Sequence, residues 1–236
     1  MKNQYFGDVN DYKKYGLLRG LSCDGAIKTF VCWMLTESDN RSDGNKTAYL
    51  ENPGQWRHHD PDLFDSLAKS VRNTKRDVKQ AEHLGIIPRA RYYPTLLYDD
   101  AESRTEYFQN MYTAADSSDL IFFDPDNGLE VKSTQKGKRG SSKYIYWDEL
   151  SRSFELSYSL LVYQHFPRVP REQYLGSLKT ELARRMGIHN PVFFQTSFVL
   201  FFLLPQRRHE KHFHRSMSEI DKAWNSGEKP LLKIHF

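Results

Sequence analysis

Two cysteines in 236 residues leave sulfur little to do in this chain. Cys23 and Cys32 lie close together with no histidine or cysteine at zinc-ligand spacing, and Cys32 sits inside an apolar run, so neither a disulfide framework nor a zinc site is expected. Long hydrophobic runs are missing too. The longest, 198–204, is strand-sized, against the roughly 20 apolar residues that cross a bilayer. Met1-Lys2-Asn3-Gln4-Tyr5-Phe6-Gly7-Asp8 has no apolar stretch of the secretory kind, so no membrane role is expected and cytoplasm is the default compartment. Nor does one sign of charge prevail: 34 Lys and Arg face 30 Asp and Glu, a net charge of +4 with a pI near 8.9. That balance permits a polyanionic partner without requiring one. No internal repeat or low-complexity linker divides the sequence. At this length, and with 39% hydrophobic residues, one substantial core and a single domain over 1–236 are expected.

What is present is an alternation of helical and strand-like patterns. Residues 12–21 read as a helix and 29–35 as a buried strand ending in Thr36, Glu37 and Asp39. A polar, glycine-containing insertion follows at about 38–59. Asp60 or Asp62, with Pro61, opens an amphipathic helix through Leu63, Phe64, Leu67 and Val71, and a second helical pattern covers 76–84. Residues 91–97 form a strand pattern. Asp99, Asp100 and Glu102 then place negative charge at the start of a helix through Tyr107, Phe108 and Met111. After a strand at 120–123 come a short aromatic run at 144–147, a helix from 148, a buried strand at 159–163 and a long helix at 171–186. The runs 192–197 and 198–205 leave no room for a crossover helix, so they pair antiparallel or form one bent strand. A helix over 210–224 ends the pattern. His58, His59, His209, His212 and His214 read as solvated rather than metal-bound. The expected fold is α/β and Rossmann-like: a mostly parallel sheet with helices on both faces and an antiparallel C-terminal strand pair.

The chemistry concentrates in Leu120-Ile121-Phe122-Phe123-Asp124-Pro125-Asp126-Asn127-Gly128. In open α/β sheets, ligands gather at the carboxyl ends of strands. Pro125 fixes its own φ and Asn127-Gly128 is a strong turn signal, so Asp124 and Asp126 should leave the sheet in a constrained loop. Such a loop builds a site, or merely ends a strand. Beyond it, Lys132, Lys136, Lys138, Arg139 and Lys143 are interspersed with Gly137, Gly140, Ser141 and Ser142 over 132–143. That stretch reads as a mobile basic loop, suited to a phosphate backbone or simply solvated.

Gly7-Asp8-Val9-Asn10-Asp11-Tyr12-Lys13-Lys14-Tyr15, followed far downstream by Asp124-Pro125, resembles the large-subunit ribosomal RNA adenine-N6 methyltransferases. Their opening reads Gly-Asn-x-x-Asp-x-x-Lys-His and their site motif Asp-Pro-Pro-Tyr; Gly7, Asp11 and Lys14 match the opening. The strand order of the second half, with 159–165 and the closing pair, is similar to that of the wider S-adenosylmethionine-dependent class. The resemblance implies S-adenosylmethionine as cofactor, near Gly7, Asp8, Asp11, Lys14 and Thr36. It also implies that Asp124, Pro125, Asp126 and Asn127 receive an amino group of a nucleic acid, with Lys132, Lys138, Arg139 and His165 on the substrate side. Asp126 and Asn127 stand where the family has a proline and an aromatic residue, and Trp33-Met34-Leu35-Thr36-Glu37 carries no glycine-rich loop.

Two other readings stay open. Asp124, Asp126 and Glu130, with Lys132 two positions on, could hold Mg²⁺ for phosphodiester hydrolysis. Alternatively, a methyltransferase-like fold without cofactor could serve as a nucleic-acid or protein-binding module. Asp11 and Lys14 equally read as an ordinary i, i+3 ion pair, and Tyr163, Gln164 and His165 as the cap of a strand. The sequence gives no sign of oligomeric state.

Overall fold

Apolar runs become strands here and stop where the backbone must turn toward the cleft described below. The computed structural model describes residues 1–38, 44–226 and 230–236. Asp39 and part of the polar insertion therefore lie outside the described residues. The strands are β1 (Thr29–Cys32), β2 (Arg91–Tyr93), β3 (Leu120–Phe123), β4 (Gly128–Leu129), β5 (Tyr144–Ile145), β6 (Ser159–His165), β7 (Val192–Gln195), β8 (Val199–Leu204) and β9 (Lys233–His235). Among the described residues the main sheet has the order β2-β1-β3-β6-β8-β7-β9, and β4 pairs with β5 apart from it. β2, β1, β3 and β6 are parallel, whereas β8 lies antiparallel between β6 and β7. This is the Rossmann-like arrangement expected, with its closing antiparallel pair.

The helices are α1 (Val9–Leu21), α2 (Pro53–Trp56), α3 (Pro61–Asn73), α4 (Lys79–His83), α5 (Ala101–Ala114), α6 (Trp147–Glu155), α7 (Arg171–Met186) and α8 (Glu210–Trp224). Side chains alternate across β3, so its two faces feed two cores. Leu120 and Phe122 pack with Leu17 and Leu18 of α1, Leu67 of α3 and Ile220 of α8. Ile121 and Phe123 pack with Phe108 of α5, Leu150 of α6 and Leu178 of α7. Helices thus cover both faces, as continuous apolar strands require. α1 can approach α8 closely because Gly16 and Gly20 face Trp224 and Ile220, with which a Cβ would collide.

Several local expectations change. Asp60, not Asp62, caps α3, accepting from the Leu63 amide at 3.1 Å, and the helical pattern over 76–84 condenses to α4. The first strand stops at Cys32 because Met34 takes a left-handed φ of 44°; only Leu35 beyond it bridges to Leu96. β9, absent from the sequence pattern, adds an antiparallel edge to β7. His59 and His209 are buried rather than solvated. His59 Nδ1 lies 2.8 Å from the Ala223 carbonyl, and His209 Nδ1 lies 2.9 Å from Ser159 Oγ.

Candidate functional site

The carboxyl ends of β3 and β6 meet the start of α1 around a cleft of about 570 Å³, within the range of small-molecule sites. Its first wall is built by the opening motif. Gly7 turns the chain at φ 79°, where a Cβ would strike Val71, and its amide donates to Asp11 Oδ2 at 3.0 Å. Asp8 then caps α1, its Oδ1 accepting from the amides of Asn10 (2.8 Å) and Asp11 (2.9 Å). An aspartate suits this position both as a cap and for the helix dipole. Burial, reinforced by the neighbouring Asp11 carboxylate, nevertheless pushes the Asp8 carboxyl up to about 7. It can therefore exchange a proton near neutral pH.

Lys14 joins this wall to the next. Its ammonium lies 2.6 Å from Asp11 Oδ1 and 2.7 Å from Asp124 Oδ2, all three side chains being buried. Burial works against the charge on Lys14, but the two carboxylates outweigh it and raise the pKa above its ordinary value. The rings of Tyr15, Trp33 and Tyr163 complete the cage, with centroids 5.5, 5.4 and 5.9 Å from Nζ. Asp11 and Lys14 are thus an i, i+3 ion pair and cleft residues at once.

The second wall is the turn after β3. The Asp124 amide donates to the Cys32 carbonyl at 3.1 Å, and the Asp124 carbonyl accepts from the Met1 amine at 2.9 Å. Asp126 Oδ2 accepts from the Thr36 hydroxyl at 2.9 Å, while its Oδ1 is 2.8 Å from the Met1 amine. Burial opposes ionisation of Asp126, yet the adjacent amine and hydroxyl hold its pKa below the ordinary value. Gln164 fixes the far end of the turn. Its Oε1 accepts from the Leu129 amide at 2.8 Å, and its Nε2 donates to the carbonyls of His165 (2.7 Å) and Asn127 (3.3 Å). Gly128, at φ 114°, is needed because a Cβ would run into the Gln164 side chain. Gln164 is therefore more than a strand cap.

Asp8, Asp11, Lys14, Asp124, Pro125, Asp126, Asn127 and His165 all line the cleft. Gly7 and Thr36 support it from behind, through Asp11 and Asp126. Lys132, Lys138 and Arg139 are exposed and do not line it; Lys143 of the same loop does. Nor is that loop loose. Asp99 accepts from the amides of Gly140 (2.6 Å) and Ser142 (2.8 Å), and Arg104 donates to the carbonyls of Ser141 (3.0 Å) and Tyr144 (2.7 Å). The Mg²⁺ cluster is not assembled either: Glu130 caps α6 through the Trp147 amide at 2.9 Å, and Lys14 takes the Asp124 carboxylate. Among the described residues no group of three or more His, Cys, Asp or Glu is placed to hold a metal.

Sequence reasoning missed Met1, Lys46 and Asn10. Met1 and Lys46 come from segments with no motif, and Lys46 is anchored where its carbonyl accepts from the Val9 amide at 3.0 Å. Asn10 lies inside the recognised opening. Asn10 Oδ1 and Asp126 Oδ1 are buried with no hydrogen-bond partner, although Asp126 Oδ1 has its ion pair. Such acceptors call for an N–H donor. No protein-family model and no curated protein matches this chain.

Proposed function

We propose that this protein transfers a methyl group from S-adenosylmethionine to an amino group of a nucleic acid. The observation that carries the reading is the meeting of two motifs 110 residues apart: Asp8, Asn10, Asp11 and Lys14 of the opening line one cleft with the Asp124–Asn127 turn, joined by the 2.7 Å pair of Lys14 and Asp124. The antiparallel insertion of β8 between β6 and β7 supports it further.

When bound, S-adenosylmethionine supplies a methyl group on positively charged sulfur. The residues present fit an N–H-bearing ligand at Asn10 Oδ1, which lacks a donor, and at the neighbouring Asp8 carboxyl, whereas Asp11 and Asp126 are already paired with Lys14 and the Met1 amine. Lys14 holds Asp124 Oδ2, so Asp124 anchors the turn. Asn10 Oδ1, the acceptor without a donor, orients the amine. An amino nitrogen that gains a methyl group sheds a proton, and Asp8, poised at about 7, can take it. Positioning does the rest. Lys46 and Lys143 supply positive charge for phosphate at the cleft.

One observation favours the second reading, a nucleic-acid-binding module without cofactor. The carboxyl end of β1 is closed: Trp33 and Met34 are fully buried, and the Met1 carbonyl accepts from the Thr36 amide at 2.9 Å. Calorimetric titration with S-adenosylmethionine decides between them, followed by transfer of labelled methyl to single-stranded RNA and DNA. Saturable binding that weakens in Asp126→Asn, with label entering nucleic acid, is the expected result. A folded protein that binds oligonucleotide but no cofactor would establish the second reading instead.

A further inference from the structure

We infer that Phe198 is the platform on which an unpaired nucleobase stacks at the mouth of the cleft. The inference rests on the nucleic-acid half of the proposed function and not on methyl transfer. A single exposed apolar side chain needs no explanation in itself. Phe198 is 55% exposed, however, and one contact together with its place in the sheet sets it beside the site. Lys46, which lines the cleft, sets its ammonium 4.3 Å from the Phe198 ring centroid. In the β6–β8 ladder, the next residue, Val199, stands opposite His165, which also lines the cleft.

The turn that presents the ring is closed by its own hydrogen bonds. Thr196 Oγ1 accepts from the amides of Phe198 (3.2 Å) and Val199 (3.0 Å), and the Thr196 amide donates to the Val199 carbonyl at 2.9 Å. The Arg171 guanidinium donates to the Ser197 carbonyl and lies 5.0 Å from the Phe166 ring centroid. The backbone that carries the ring is thus fixed before a base settles on it. An aromatic face beside a lysine is the combination that single-strand binders use, the ring for the base and the cation for the backbone.

The test is the affinity of a short fluorescent oligoadenylate, as RNA and as DNA, read by anisotropy for the full chain. Phe198→Ala should weaken binding about tenfold or more, as loss of one stacked base does, with the melting temperature unmoved. Phe198→Trp should restore binding and Phe198→Leu should not, which separates stacking from mere apolar contact. Wild-type affinity in Phe198→Ala or in Phe198→Leu overturns the inference and leaves methyl transfer standing. A wild-type chain that takes up no S-adenosylmethionine, but whose oligonucleotide binding depends on Phe198, overturns methyl transfer and supports the inference. No binding of either oligomer by the wild type overturns both.

Discussion

Lys14 places one ammonium between two carboxylates, and each side chain is at most 3% exposed. Water screens little there, so removing a partner leaves an uncompensated buried charge rather than a solvated one. The two kinds of removal differ. Lys14→Met leaves Asp11 and Asp124 facing each other and should cost about 3–5 kcal/mol. Asp124→Asn leaves Lys14 on Asp11 and should cost less, about 1–3 kcal/mol, chiefly through a weakened hydrogen bond. Urea melts of the two variants beside the wild type check the order. If Lys14→Met melts like the wild type, the trio does not hold the two walls together. What no local pattern could show is that the Asp124 carboxylate is bound to Lys14, a partner 110 residues away.

At the scale of elements, the basic loop shows the same dependence on distant partners. Arg104 of α5 is 1% exposed and grips Glu149 of α6 twice, at 2.6 and 2.8 Å, while its remaining donors tie down Ser141 and Tyr144. Arg104→Met should leave Glu149 to Lys136, 3.0 Å away, and to the Tyr146 amide, and cost about 1–3 kcal/mol through the hydrogen bonds lost. It should also raise amide hydrogen exchange over 140–144 before exchange rises in β3 or β6. Exchange there at the wild-type rate would show that Asp99 alone fixes the loop. A run of lysine, glycine and serine carries no mark of these partners, which is why 132–143 reads as mobile in the sequence. Other elements carry their own signals. α7 begins after Pro170 and stops at Gly187, whose φ of 67° is a helix-ending conformation, so its bounds are legible residue by residue. β8 is legible from its apolar length and from the missing crossover. The end of β1 is not, because the left-handed turn at Met34 is imposed by what packs around it. Nor is β9, whose Lys-Ile-His becomes a strand only by pairing with β7. The turn at Asp124 was legible because an apolar run, a proline and Asn-Gly adjoin, whereas Lys46 entered the site through tertiary contact alone.

For the molecule as a whole, a net charge of +4 is too small to hold a polyanion without regard to where the charges lie. Under the proposed function, two surfaces offer positive charge to phosphate. One comprises Lys46 and Lys143, which line the cleft; the other is the exposed Lys132, Lys138 and Arg139, outside it. The salt dependence of binding counts the contacts, since each phosphate neutralised on a single strand contributes a slope of about −0.7 in log K against log salt. If the cleft lysines carry the backbone, the slope should lie between about −1 and −2, and Lys143→Ala should make it shallower by about 0.7. The triple variant Lys132→Ala, Lys138→Ala, Arg139→Ala should then leave slope and affinity near the wild type. A slope of about −2 or steeper, most of which is lost in the triple variant, would instead make the loop the main phosphate surface. Anisotropy titrations of the oligoadenylate over a salt series distinguish the two. Under the proposed function, the carboxylates deeper in the cleft would repel phosphate, so a backbone held by Lys46 and Lys143 would keep to the rim and let only the base descend.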